Sequence, residues 1–331
     1  MRHLFIFLSL AIFLIACSGK ESESDSADSS IAVIPVDTVA EKKSSVDSKI
    51  KMYYNTNTQG LNAEGSKTII TSHTEIFKDS LLNNPSGQYL STGEEITIEA
   101  YCGVVVNGNW AEPVYKISYQ MGEGSEYGYV SQSKIACTLD TLQSKKIVSL
   151  TLDYNQQSNK FVGYVSLITQ QGSILGEGKV EFDIYTDGEA PYSYNYYFSF
   201  KENEPTGLDG ITESFSIDTD YDACGYPGFS YTFLWNGKKL IHCPETFSIS
   251  EAGQFHQYSY LVFPADSLGR KGCILEIIEG DQYEDGPDDT TQTVNKDSTV
   301  IIYKWNKYSF ISTPGDTILK KSRTYTINSV Y

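Results

Sequence analysis

Hydrophobic positions along this chain recur with a period of two, rather than the 3.6 of a helix. Glu95-Ile96-Thr97-Ile98-Glu99-Ala100-Tyr101 alternates polar and apolar residues, as a strand with one buried face does. Thr68–Thr71 and Glu75–Phe77 predict a first strand before it. Asn83-Asn84-Pro85-Ser86-Gly87 is a turn cluster. Val104-Val105-Val106 runs into Asn107-Gly108-Asn109, a hairpin signal. Pro113–Tyr119 and Tyr127–Val130 predict two further strands, separated by a loop over 122–125. Beyond Lys145 the pattern predicts strands at 147–154, 161–169, 180–185, 192–200, 229–235, 239–242, 258–263, 274–278, 299–303, 308–312 and 322–327. Asn236-Gly237 reads as a two-residue hairpin turn. No long stretch carries apolar residues at i, i+3, i+4 and i+7, which argues against a large helical domain.

Many evenly spaced strands without intervening helices favour antiparallel architecture over parallel α/β. The expected fold is therefore all-β, with a small barrel followed by a larger antiparallel β-sandwich; an antiparallel barrel is the alternative for the larger part. The absence of a fixed repeat argues against a propeller or solenoid. The organisation read from the text is a signal over 1–16, a tether over 17–66, a small barrel over 67–140 and an all-β domain over 145–331. The tether is rich in Ser, Asp, Glu and Lys and sustains no apolar periodicity. Composition agrees with strands: tyrosine is abundant at 25 and methionine scarce at 3, and aromatic and branched side chains fit a pleated surface.

The N-terminus changes the picture most. Arg2 supplies a positive charge, an apolar run follows from Leu4 to Ile15, and small Ala16 precedes Cys17. This is the layout of a secretory signal, and the run is shorter than the about 20 residues of a membrane span. Leu14-Ile15-Ala16-Cys17 resembles the lipobox of bacterial lipoproteins. The resemblance implies that the Cys17 thiol carries a diacylglyceryl group and that cleavage makes Cys17 the first residue. Two or more acyl chains give stable anchoring. Ser18, standing where aspartate marks inner-membrane retention in that family, implies an outer-membrane address. Lys20-Glu21-Ser22-Glu23-Ser24-Asp25 resembles the export tag of surface lipoproteins in Bacteroidota, and is equally a solvated tether. The expected location is the outer membrane, lipid-anchored, on its periplasmic or its surface face. The alternative is an ordinary cleaved signal followed by a chance cysteine.

Removing residues 1–16 takes the formal charge from −17 to −18, which opposes nucleic acid as a partner. With Cys17 lipidated, five cysteines remain. No C-x-x-C occurs, which argues against structural zinc. An exported chain meets an oxidising compartment. The local disulfide pairings are Cys102 with Cys137 and Cys224 with Cys243, and an odd count leaves at least one thiol unpaired.

Three places between 93 and 131 resemble the bacterial form of the Src-homology-3 (SH3) fold, a small barrel of five or six strands. They are Gly93-Glu94-Glu95-Ile96-Thr97-Ile98, Gly108-Asn109-Trp110 with Val114-Tyr115-Lys116-Ile117, and Tyr127-Gly128-Tyr129-Val130-Ser131. The family's early "L-N-V-R-x-G-P" segment is absent at its usual place, and Tyr129 stands where Trp is usual. The resemblance implies recognition of peptidoglycan stem peptides or of a protein partner. Trp110, Tyr115, Tyr127 and Tyr129 are the expected groove residues, with core packing as the alternative role for these aromatics.

Catalytic chemistry finds little support. Asp222-Ala223-Cys224-Gly225-Tyr226 has the wrong spacing for the Asp-Cys-Ser-Gly nucleophile of peptidoglycan endopeptidases, and His242 and His256 are the only histidines downstream. H-E-x-x-H and G-x-S-x-G are absent. A non-enzymatic role is expected. Asp218, Asp220 and Asp222 alternate, which suits calcium or a solvated acidic turn; Ala223 and Phe229 at the sixth and twelfth positions exclude an EF-hand. Asp281–Asp289 reads as a second acidic loop. Tyr192, Tyr194 and Tyr196, continued by Phe198 and Phe200, share one strand face, either core-facing or an aromatic platform.

Overall fold

The strand begun at Glu95–Tyr101 does not end where the sequence stops alternating. It continues through Val104–Val106 as one long strand, because a partner of equal length lies beside it. The structure is a computed structural model describing residues 52–53, 64–107, 110–155, 157–158, 160–182, 196–221, 225–251, 254–285, 291–317 and 321–328. Cys17 and the other expectations for 1–51 lie outside the described residues. The first seven strands are β1 (Met52–Tyr53), β2 (Lys67–Ile69), β3 (Thr74–Phe77), β4 (Pro85–Leu90), β5 (Glu95–Asn107), β6 (Trp110–Met121) and β7 (Gly124–Ser131). They form one sheet in the order β2-β5-β6-β7-β3-β4, with β1 running parallel to the start of β6.

The β5–β6 ribbon is interrupted by irregularities between Ile98 and Ala100 and between Tyr101 and Val104. Bulges of this kind bend and twist a ribbon, which curls the sheet around a core. Ile76, Ile96, Ile98, Tyr115, Ile117 and Val130 fill that core. A 3₁₀ turn over Gln132–Lys134 then brings Ile135 beside Ile70. The Ala136 N–H donates to the Ile69 carbonyl at 3.0 Å, so the last segment of this module meets its first. The single early strand expected over 68–77 is two strands. The chain bends between them, where the Thr71 N–H donates to the Lys134 carbonyl.

The next four strands, β8 (Thr138–Thr141), β9 (Ile147–Asn155), β10 (Lys160–Ile168) and β11 (Ile174–Phe182), make an antiparallel meander in the order β11-β10-β9-β8. β8 pairs with β9, so residues 138–140, expected at the end of the small barrel over 67–140, belong to the meander instead. The remaining strands are β12 (Tyr196–Glu202), β13 (Glu213–Tyr221), β14 (Gly228–Trp235), β15 (Leu240–His242), β16 (Thr246–Glu251), β17 (Phe255–Val262), β18 (Cys273–Asp285), β19 (Thr291–Trp305), β20 (Phe310–Thr317) and β21 (Lys321–Asn328). They form one antiparallel sheet, β12-β13-β14-β16-β17-β18-β19-β20, with β15 on β14 and β21 on β19.

The meander packs face to face on β13–β15, so this part is the expected all-β sandwich. Leu150, Val165 and Leu167 from one sheet meet Phe215, Tyr231, Phe233 and Trp235 from the other. Glycine makes the close approach possible. A Cβ at Gly178 would sit 2.5 Å from the Phe233 ring, and one at Gly176 would sit 2.6 Å from Trp235.

Several elements depart from the sequence pattern. β13 occupies the acidic stretch over Asp218–Tyr221, which was expected as a turn or cation loop; its alternate residues Phe215 and Ile217 are fully buried. Asp281–Asp285 is the end of β18, paired with Gln292–Lys296, so the second acidic loop is strand at least to 285. Asn236-Gly237 lies inside a four-residue connection: Trp235 pairs with Leu240, Gly237 has φ +82°, and Asn236 Oδ1 accepts from the Lys238 and Lys239 N–H groups. The side-chain acceptor replaces the tighter two-residue geometry.

His242 sits on β15 with its ring stacked 5.0 Å from Phe233 and 5.9 Å from Tyr231. The residue is exposed overall, and desolvation by these rings on one side lowers its pKa below the ordinary histidine value. The unfolded chain therefore takes up this proton first, and stability falls as pH drops below the ordinary value of about 6.5. Thermal melts at pH 7.5 and 5.5 check this. His242→Gln should lose less Tm over that interval than the natural chain; an equal loss would reject the assignment.

Candidate aromatic site on the first sheet

The four expected groove residues do not gather in one place. Tyr115 pairs with Val130 on the core side of β6 and is 3% exposed. It is a core residue, not a groove residue, because the curl of the β5–β6 ribbon turns that side inward. Tyr129 pairs with Lys116 and with Phe77, and Tyr127 pairs with Ser118, all on the opposite side. Tyr127 is 60% exposed, and the Lys116 Nζ lies 5.0 Å from its ring centroid, a cation–π contact. Trp110 enters at the hairpin end of β6 and pairs with Asn107; its side chain lies outside the described residues.

The strip continues across β3 and β4. Tyr89, exposed on β4, pairs with Glu75 and donates its hydroxyl to that carboxylate at 3.1 Å. The hydrogen bond raises the Tyr89 pKa above an ordinary phenol. His73 stacks on Tyr89 at 5.1 Å with an interplanar angle of 5°. The outer side of β4-β3-β7-β6 therefore carries Tyr89, Phe77, Tyr129 and Tyr127, bordered by Glu75 and Lys116. Aromatic faces beside one cation and one carboxylate suit a peptide carrying both apolar and charged groups. Sequence reading missed Phe77, Tyr89 and Lys116. Their positions depend on the β3–β7 and β6–β7 pairings; Phe77 and Lys116 sit at alternating strand positions, the one local signal they carry.

The other expected sites divide similarly. Cys102, Cys137 and Cys243 are free thiols, as is Cys273, so neither expected disulfide is formed by these residues. The physical reason is placement. Cys137 is buried in the sandwich core and donates to the Leu150 carbonyl at 3.0 Å, whereas Cys102 lies on β5 near the Ala100 carbonyl. Cys243 belongs to another core cluster with Leu234 and Ile274; Cys224 lies outside the described residues. Burial pushes the Cys137 and Cys243 thiols well above their ordinary pKa, which makes them inert as nucleophiles.

Asp218 is half-buried on β13 and accepts from the Ser230 hydroxyl at 2.5 Å. Asp220 follows on the same strand, its side chain outside the described part, and Asp222 lies wholly outside it. Among the described residues, no group of three His, Cys, Asp or Glu side chains is placed to hold a metal ion. Phe198 and Phe200 of β12 pack against the sandwich core, while Tyr192 and Tyr194 are not described. His256, on β17, stacks on Tyr258 at 5.0 Å.

No family model matches the chain, and neither a curated protein nor a solved structure is detectably similar to it.

Proposed function

We propose that this protein is a non-enzymatic, lipid-anchored binding protein of the bacterial envelope. In this reading Cys17 holds it in the outer membrane, and the N-terminal sheet recognises peptidoglycan peptides or a protein partner. The observation that carries the binding role is the exposed aromatic strip, with Tyr127 and Tyr129 on one side of β7 beside Lys116. The strand order, the curled β5–β6 ribbon and the 3₁₀ turn before Ile135 support an SH3-like barrel. Among the described residues no helix is long and apolar enough to cross a membrane, so anchoring in this proposal rests on the N-terminal cysteine. The second reading is a structural or assembly lipoprotein that engages a membrane-protein complex. It draws on the size of the C-terminal sheet, whose edge strands can pair with a partner.

Retention on purified sacculi tests the first reading. Tyr127→Ala/Tyr129→Ala should cut binding at least tenfold, the loss of more than about 1.4 kcal/mol expected when exposed aromatic anchors go. Equal retention of the double variant and the natural chain would reject this surface as the site. A discrete protein adduct on crosslinking in intact cells, without cell-wall material, would favour the assembly reading.

A further inference from the structure

The C-terminal sheet carries a second surface with a different chemistry. On β17, β18 and β19 successive residues alternate between two sides. His256, Tyr258, Asp281 and Lys296 lie on one, and Phe255, Gln257, Gln282, Asn295 and Asp297 lie on the other. The second side holds a concavity of about 360 Å³, near the small end of the roughly 300–1,000 Å³ of ligand pockets. Its origin is Gly280, which stands between Gln257 on β17 and Asp297 on β19. A side chain there would fill the recess. The nearest atom to a Cβ at Gly280 is 3.7 Å away, so the backbone tolerates one.

His256 and Asp281 also border the concavity, from register positions that alternate to the other side; the residues at the positions that face it include several polar ones, and none is lysine or arginine. Gln257 and Gln282 are exposed amides on neighbouring strands. Asn295 is held from behind: its Oδ1 accepts the Thr324 hydroxyl at 2.8 Å, which leaves its NH₂ to donate. Asp297 is held in the same way by the Ser322 hydroxyl at 2.6 Å and keeps a second oxygen as acceptor. Phe255 and Ile278 supply an apolar wall. Lys296 is turned to the opposite side, 3.8 Å from Asp281. Anionic ligands are disfavoured by this arrangement and by the acidic chain as a whole.

Amides offer donors and acceptors together, a fixed carboxylate adds an acceptor, and an aromatic ring offers a face for C–H groups. This is the complement of a neutral polyhydroxylated ring. A peptide strand is a poorer fit, since it binds by main-chain pairing at a sheet edge. β18 is paired on both sides here, by β17 and β19, so side chains alone meet the ligand. We propose that this concavity is a binding site for a neutral saccharide, with Phe255 stacking on the ring and Gln257, Gln282, Asn295 and Asp297 bonding its hydroxyls.

Titration of the full-length protein in detergent with neutral tetrasaccharides of glucose, mannose and N-acetylglucosamine tests this. At least one should bind, and Phe255→Ala and Gly280→Leu should each weaken it at least tenfold, with melting temperatures confirming that the variants fold. Tyr127→Ala/Tyr129→Ala should leave saccharide affinity unchanged, which separates this site from the peptide surface of the first sheet. Failure of every sugar to bind, or undiminished affinity in the folded Gly280→Leu variant, overturns the proposal.

Discussion

Phe233→Ala should destabilise the protein by about 3–5 kcal/mol, the range for removing a buried phenylalanine ring. The ring is fully buried at the seam of the two sandwich sheets, 5.6 Å from Phe215 and 5.0 Å from His242. Its remaining side faces Gly178, which has no atoms to move into the space. Neighbours on rigid, paired strands cannot collapse into such a cavity, so the cost should fall near the top of the range. Urea denaturation measures it, and a loss below about 1 kcal/mol would contradict the packing assigned to this seam. The reciprocal change sharpens the test. Gly178→Val alone overpacks the seam and should cost roughly 1–3 kcal/mol. In the Phe233→Ala background the same valine refills vacated space, so the double variant should be more stable than the two single losses predict. Simple additivity would mean that Gly178 and Phe233 do not face each other.

Cys17→Ser should abolish acylation of the chain and leave its signal uncleaved by the lipoprotein route, with the apolar run Leu4–Ile15 still attached. Thioether formation requires the cysteine sulfur, and serine offers no equivalent nucleophile. Fractionation with radiolabelled palmitate checks both parts. The label should vanish and the chain should keep the mobility of its uncleaved form, whereas a labelled or shortened variant would overturn the anchoring proposal. The melting temperature of the unlipidated variant should match that of the natural chain, because Cys17 lies far outside the sandwich in sequence.

How much of this was legible in the sequence depended on how local each signal was. β9, β10 and β14 could be read because their own residues carry the apolar content. β13 could not, since Phe215 and Ile217 are interleaved with Ser216, Asp218 and Asp220, and β12 and β14 on either side bury the apolar half. The end of β18 is as acidic as any loop, and it is a strand because β19 continues alongside. Tyr115 and Tyr129 look equivalent in the text. Two bulges in the β5–β6 ribbon bend it so that one side curls inward, and only the second carries a local mark, Gly103 at φ +99°. The disulfide expectation failed for a related reason: Cys102 and Cys137 are near in sequence, but the chain passes from one sheet to another between them. The saccharide surface was invisible beforehand because its floor is a missing side chain, at Gly280, between two strands whose register the sequence does not state.

The paired glycines of β11 also leave a mark in any set of relatives. At the seam, volume is shared between one position on β11 and one on β14, so Gly176 with Trp235 and Gly178 with Phe233 form two exchangeable sums. A relative with alanine or serine at either glycine should carry a smaller residue at the matching aromatic position. That covariation, rather than conservation of either residue, would be the trace by which this sandwich could be recognised in distant chains.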